Sequence, residues 1–278
     1  VSGEALGRLG LRGPVLAASG CGGSGRELVP FVDPASLGGF VTRSVTLDPR
    51  TGAAPPRTAE TPSGLLNVIG LQNPGLEPFL ATELPWLVQQ GVRVVVSVAA
   101  GTMGEYAELA RRLAVAPGVG AVEVNLSAPD PGGSGVLDVR EPFHAGGVVA
   151  AVRRETPRGV PVLAKLRPDV VRAVEAARTV AEAGADAVVL GNALPASMPD
   201  GRPAGLSGPA IRPLAQRCVA EVCAALPEVA VVACGGIATV GDARAFLAAG
   251  AAAVQVGTAQ LHDPTTLARL VAGLEEDA

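Results

Sequence analysis

Short apolar runs recur along the whole chain, and they constrain the fold more than any other feature. They occupy residues 15–18, 40–44, 92–98, 121–126, 160–166, 187–190, 229–233 and 253–256. Many are rich in Val, and most end in Gly, Ser or Asn. Continuous apolarity, in place of alternation, marks strands buried on both faces of a parallel sheet. Helical patterns lie between most of them, at 104–114, 173–183, 209–226, 241–249 and 269–277. Gly184 and Gly250 follow two of these as C-caps. Eight such strands alternating with helices predict a (β/α)8 TIM barrel, and 278 residues suit one such unit. A doubly wound sheet is the alternative. With aromatics at 3%, the core must be built from Ala, Val and Leu. No linker and no repeat beyond the βα unit interrupts the pattern, so a single domain is expected over 1–278.

Composition excludes several classes. Apolar residues at 48% against charged residues at 17% rule out a disordered chain. Lys+Arg 22 against Asp+Glu 26 leaves a net charge of −4 and no basic stripe, which argues against nucleic acid. The four cysteines, Cys21, Cys218, Cys223 and Cys234, form no C-x-x-C pair, so no metal centre is expected in this chain. Few cysteines in a long chain point to free thiols in a reducing cytoplasm. No secretory leader is read at the N-terminus. The longest uncharged stretch, 245–262, contains two glycines and two glutamines, and reads as a helix end, a turn and a strand instead of a membrane span. The proline-rich segment 49–75 has little periodicity and reads as a long functional loop.

In a barrel the site is built at the C-terminal ends of the strands. There the sequence places Ser19-Gly20, Arg43-Ser44, Ser97, Asn125, Lys165, Asn192, Gly235-Gly236 and Gly257-Thr258. Any one of these reads equally well as a polar strand end. Their gathering at one end is what points to a site. CGG at 234–236 and VGT at 256–258 end strands seven and eight, where glycine backbones and a following helix start suit a phosphate. Lys165 lies inside the apolar run VLAKL, where a lysine needs a task. It could pair with a buried carboxylate, form a Schiff base or hold an anionic cofactor. His144 and His262 are too sparse for a metal triad, and His144 reads as a surface or capping residue near a helix start.

Five segments together resemble the class 1 dihydroorotate dehydrogenases, nearest the class 1B catalytic subunit. They are NVIGLQNPG (67–75), VEVNLSAPD (122–130), LAKLRP (163–168), GLSGPAIRP (205–213) and CGGIATVGDA (234–243), and the likeness runs from about residue 15 to 264. The resemblance implies FMN at the barrel mouth. Ala18, Ser19 and Gly20 would form the first flavin loop, with Ser44, Ser97 and Asn125 nearby and Lys165 on the flavin ring. Gly208, Gly235, Gly236, Gly257 and Thr258 would surround the ribityl phosphate. Asn67, Asn125 and Asn192 would hold an orotate-like ring, and the Gly70-Leu71 backbone its carboxylate. A partner subunit carrying FAD and an iron–sulfur cluster, and a homodimer, are further implications.

The departures from the family pattern fall in the substrate pocket. The motif N-[LI]-S-C-P-N reads NLSAPD here, so Ala128 stands where the family has its general base, and Asp130 replaces the final Asn. Arg43 stands for a lysine, Ala193 for Ser or Thr, and Ser97 for Asn. Asp130, as base or anchor, and Arg43, facing an anionic group, are the catalytic candidates. Cys21 is a further candidate base, whereas Ser127 is expected to point away from position 128. The chain therefore reads as an FMN-dependent oxidoreductase moving a hydride between a dihydropyrimidine-like substrate and flavin N5. The alternatives are a flavoenzyme for another heterocycle or enone, a non-catalytic flavin binder, and a barrel holding a different phosphate-bearing ligand.

Overall fold

The structure, a computed structural model, describes residues 2–127, 137 and 141–276. Its strands are β1 (Val15–Ala17), β2 (Gly39–Val41), β3 (Thr58–Thr61), β4 (Gly64–Asn67), β5 (Val94–Val98), β6 (Val119–Asn125), β7 (Val162–Leu166), β8 (Ala187–Leu190), β9 (Leu194–Ser197), β10 (Pro203–Ser207), β11 (Ala230–Cys234) and β12 (Ala253–Val256). Among the described residues, eight of these close into a parallel barrel in the order β1-β2-β5-β6-β7-β8-β11-β12. Closure lies at β1, where Leu16 pairs with Gly39 on one side and Gln255 on the other. That excludes a doubly wound sheet, which has open edges. Each apolar run of the sequence falls on one barrel strand.

Period two divides each strand between two cores. Leu16, Val41, Val95, Ala121, Leu163, Ala187, Val189, Val232 and Ala253 point inward, and Leu9 and Leu11 close the N-terminal end beneath them. The intervening residues, such as Val94, Val96, Val122 and Val124, pack outward against Leu109, Val148, Val180, Val219 and Phe246 of the helices. These helices are Met103–Ala114, Pro142–Glu155, Ala173–Glu182, Arg212–Ala225 and Val240–Ala248, with Thr266–Glu275 closing the ring. Each fully buried Val or Leu contributes roughly 1.5–3 kcal/mol. Cys218 is buried in Arg212–Ala225, as packing residues of that helix are expected to be.

The segment 49–75 is not an irregular loop. It carries the β3–β4 hairpin, and β4 pairs with β10, which pairs with β9. Its strands TAET and GLLN are short and half-exposed, and β10, the outer partner of β4, lies about 140 residues later, so no local period marks them. The hairpin follows β2, and β9–β10 follows β8. Both insertions leave C-terminal strand ends, so this four-stranded sheet stands over the barrel mouth. Helix Ser2–Leu9 lies outside the sequence reading, which of Pro142–Glu155 holds only the start near His144. The second contains Gly146-Gly147, which weakens its helical signal. His144 is exposed in its first turn, as expected. Among the described residues no helix is long and apolar enough to cross a membrane.

Candidate functional site

The inward, period-two positions turn from apolar to polar near the mouth. Ser97, Glu123, Asn125, Lys165 and Gln255 are all buried there. The sheet register brings Asn125 beside Lys165 and Ser97 beside Glu123. The Lys165 ammonium lies 3.4 Å from a Glu123 carboxylate oxygen. It donates to Gln255 Oε1 at 2.8 Å, while Gln255 Nε2 donates to Glu123 Oε2 at 2.5 Å. Of the alternatives for Lys165, the buried carboxylate is thus present. Burial opposes the lysine's charge, but the Glu123 carboxylate, together with Cys234 and Cys21, holds the pKa above the usual lysine value. Glu123 escaped sequence reasoning, although its place two residues before Asn125 in a buried strand is a signal for it.

A second set of polar groups runs across the mouth above this pair. Asn192 Nδ2 donates to Ser127 Oγ at 2.7 Å, and Ser127 Oγ donates to Asn125 Oδ1 at 3.3 Å. Asn125 Nδ2 donates to Ser44 Oγ at 3.0 Å, which is hydrogen-bonded to Ser97 Oγ at 2.9 Å. Five side chains from four strand ends form one chain. A primary amide has two N–H donors. The hydrogen bonds above use one on each of Asn125 and Asn192. Ser127 is expected to point away from position 128, which lies outside the described residues. The strand ends at Asn125, and two residues on, Ser127 returns to the same face and joins both asparagines.

The covering sheet contributes Asn67, whose Nδ2 donates to the Gly205 carbonyl at 3.2 Å. A Cβ added at Gly205 would lie 2.5 Å from Ala193 Cβ and 3.5 Å from the Asn67 amide nitrogen, so Asn67 approaches the Asn192-Ala193 end of the chain. Next comes the Gly70-Leu71 turn, with both residues at positive φ, 69° and 52°. Leu71 is the one non-glycine residue in that region among the described residues. Such backbone costs roughly 1–3 kcal/mol and is held only where its surroundings enforce it. Here Asn73 enforces it. Its buried amide donates to Leu71 O at 2.8 Å and Thr46 Oγ1 at 2.9 Å, and accepts from Gly75 N at 2.9 Å and Thr46 N at 3.2 Å. Asn73 ties the turn to the segment that follows β2, a role no sequence pattern marks.

Of the two residues named as catalytic, Asp130 lies outside the described residues, as does Ala128. Arg43 is half-buried at the rim, near the carboxylates of Glu27 and Glu83. Its buried Nε has no hydrogen-bond partner, and no hydrogen bond joins its guanidinium to the amide–hydroxyl chain among the described residues. Ala18, Ser19 and Gly20 lead into a turn closed by Cys21 N donating to Ala18 O at 3.3 Å. The Cys21 sulfur would lie 3.4 Å from a Cβ at Gly257, so this turn touches the β12 end. Burial, reinforced by Cys234 and partly offset by Lys165, pushes the Cys21 thiol up to about 12. A protonated thiol at neutral pH is a poor base.

Two of the glycine segments named for the phosphate touch. A Cβ at Gly236 would lie 2.9 Å from Gly208 O, so the segments after β10 and β11 are in contact. Thr258 Oγ1 donates to Ser207 Oγ at 2.8 Å, which adds the β12 end. The helix start after Gly235-Gly236, however, is already capped. Thr239 and Asp242 form a capping box, and Asp242 Oδ2 accepts from Ala238 N and Thr239 N at 3.1 and 3.0 Å. Those bonds take the amides of Ala238, Thr239 and Asp242, while the amides of Val240 and Gly241 make no loop or turn hydrogen bond among the described residues. The backbone amides of Gly236 and Gly257 make no loop or turn hydrogen bond among the described residues, and these remain available.

A phosphate-sized set of glycine amides, a buried cation and a row of amide donors on one barrel mouth fit a planar anionic cofactor with a phosphate tail. This defines the class, a barrel enzyme working through a cofactor at the C-terminal ends of its strands. Comparison narrows it. The dihydroorotate dehydrogenase family matches residues 5–277. The catalytic subunit of dihydroorotate dehydrogenase B (NAD(+)) from Desulforudis audaxviator is 46% identical, covering 98% of this chain and 91% of the relative. Those from Pelobacter propionicus and Anoxybacillus flavithermus are 43% and 42% identical, over 97% and 96% of this chain and 91% and 87% of the relatives. The chain belongs to the dihydroorotate dehydrogenase family. The resemblance read in the sequence is thereby shown, and with it the activity class, an FMN-dependent oxidoreductase acting on CH–CH groups.

Proposed function

We propose that this chain oxidises a dihydropyrimidine ring, with dihydroorotate as the first candidate, in a pocket between the barrel mouth and the covering sheet. The amide–hydroxyl chain from Asn192 through Ser127 and Asn125 to Ser44, beside buried Lys165, carries this reading. Bound FMN supplies the two-electron acceptor. Lys165 would lie against its ring and favour the negative charge that accumulates there. Gly208, Gly235, Gly236, Gly257 and Thr258 would hold its phosphate, and Ala18, Ser19 and Gly20 its near edge.

Asn67, Asn125 and Asn192 would orient the planar substrate through the N–H and C=O groups not used among themselves. The strained Gly70-Leu71 turn would present backbone amides to a carboxylate, and Arg43 would add positive charge at the rim. Ala128 cannot accept a proton. Ser127 Oγ, bonded to both asparagines, is the hydroxyl nearest that position in the chain and offers a route for the proton to leave. Asp130 stays a candidate base on its chemistry alone. The relatives are named as catalytic subunits of an NAD(+)-linked enzyme. We infer for this chain a partner subunit with FAD and an iron–sulfur cluster as electron acceptor, a homodimeric barrel and a cytoplasmic setting.

NLSAPD favours a second reading, a different dihydro-heterocycle or enone as substrate. Anaerobic mixing of the FMN-loaded protein with dihydroorotate separates the two. Bleaching of the visible flavin band at a rate above that of free FMN supports the first. A band that persists with dihydroorotate, yet bleaches with dithionite, rejects it and leaves the second.

A further inference from the structure

Burial of a charged pair is expensive unless the geometry satisfies both ions. Lys165 and Glu123 are almost wholly enclosed, with side chains 5% and 0% exposed, inside the barrel beneath the proposed ring site. Gln255 spans them, accepting from the ammonium and donating to the carboxylate. The adjacent strands β6 and β7, and β12 from across the barrel, supply one group each. Glu123 is too deep to touch a substrate at the mouth, since Asn125 lies above it on the same strand face. Its visible partners are Lys165 and Gln255.

We propose that Glu123, braced by Gln255, is a positioning residue that keeps Lys165 protonated in both oxidation states of the cofactor. The lysine charge then stays constant through turnover, and cofactor reduction draws no proton into the barrel. The proposal rests on the FMN reading of the mouth. The other titratable groups facing Lys165 are Cys21, from the turn after β1, and Cys234, on β11. Both thiols are pushed up by burial, so neither takes over the carboxylate's task at neutral pH.

In Glu123→Gln the ammonium loses its counter-charge but keeps its burial, and burial favours the neutral amine. Reduction of the flavin then restores a negative charge nearby and draws a solvent proton onto Lys165 Nζ. One extra proton per two electrons makes the reduced-to-oxidised ratio fall an additional tenfold per pH unit, which is about 30 mV per unit for a two-electron couple. A purely structural role would not change this slope.

The test is a spectrophotometric titration of FMN into wild-type protein, followed by midpoint potentials of the loaded protein from pH 6 to 9. Failure of wild type to bind FMN refutes the cofactor reading itself. Given binding, the proposal expects the steeper slope in Glu123→Gln and the wild-type slope in Glu123→Asp. Parallel slopes in Glu123→Gln and wild type overturn it. Should Glu123→Gln not fold, wild type and Lys165→Met decide. Equal slopes support a lysine that never titrates, and an extra proton in wild type that Lys165→Met lacks overturns it.

Discussion

The buried pair makes a stability prediction that needs no cofactor. In wild type, burial works against the Lys165 charge, and Glu123 together with Cys234 and Cys21 more than offsets it, so the folded-state pKa lies above the unfolded one. That contribution is fully present below the unfolded lysine value of about 10.4 and is lost as pH rises through the folded value. Wild-type stability should therefore show no rise attributable to Lys165 between pH 7 and 10. In Glu123→Gln the sign inverts. A buried lysine without a counter-charge can fall by about three units or more, and the folded state then releases a proton that the unfolded chain keeps. Stability should climb with pH, at up to about 1.4 kcal/mol per unit, from the lowered value to ~10.4. Summed over about three units this is ~4 kcal/mol, which agrees with the 3–5 kcal/mol lost when one partner of a buried pair is removed. Guanidinium unfolding at closely spaced pH values measures it. Parallel stability profiles for the two proteins between pH 7 and 10 would refute the reasoning.

Other residues carry separate predictions. Asn73→Ala removes four hydrogen bonds around the Gly70-Leu71 turn. At about 1 kcal/mol each it should cost roughly 2–4 kcal/mol and raise KM for the substrate more than it lowers kcat, by steady-state kinetics. Cys21, its thiol pushed up to about 12, should resist iodoacetamide at pH 8 in the folded protein and react readily once unfolded, by mass spectrometry of tryptic peptides. Thr239→Ala breaks the capping box of Val240–Ala248 and should cost about 1 kcal/mol in denaturant unfolding, without altering FMN affinity. A large loss of FMN affinity there would mean that the helix start holds the phosphate after all.

The barrel was legible because its signal is local. Small and branched apolar residues occupy both faces of most strands, and the polar mouth residues follow at the ends of those runs. Lys165 stood out by contrast with its neighbours in VLAKL. The covering sheet was not legible, because β4 and β10 acquire their regularity only from each other across the chain. Ser127 shares the face of Asn125, as period two requires, while position 128, from which it is expected to point away, lies outside the described residues. Glu123 and Asn73 act through partners on distant segments, so their roles exist only in three dimensions. The glycines named for the phosphate lie on segments that touch, Gly236 against Gly208 O. At the helix start the capping box competes with a ligand for part of the same turn, a conflict that T-x-x-D at 239–242 already signals.

The most direct test of the account is a visible-absorbance titration of FMN into the purified chain, beside Gly236→Val. The account predicts one FMN bound per wild-type chain, with a shifted flavin band, and much weaker binding by the variant, whose side chain would enter the contact between Gly236 and Gly208 O. A wild-type chain that leaves the flavin spectrum unchanged would contradict it.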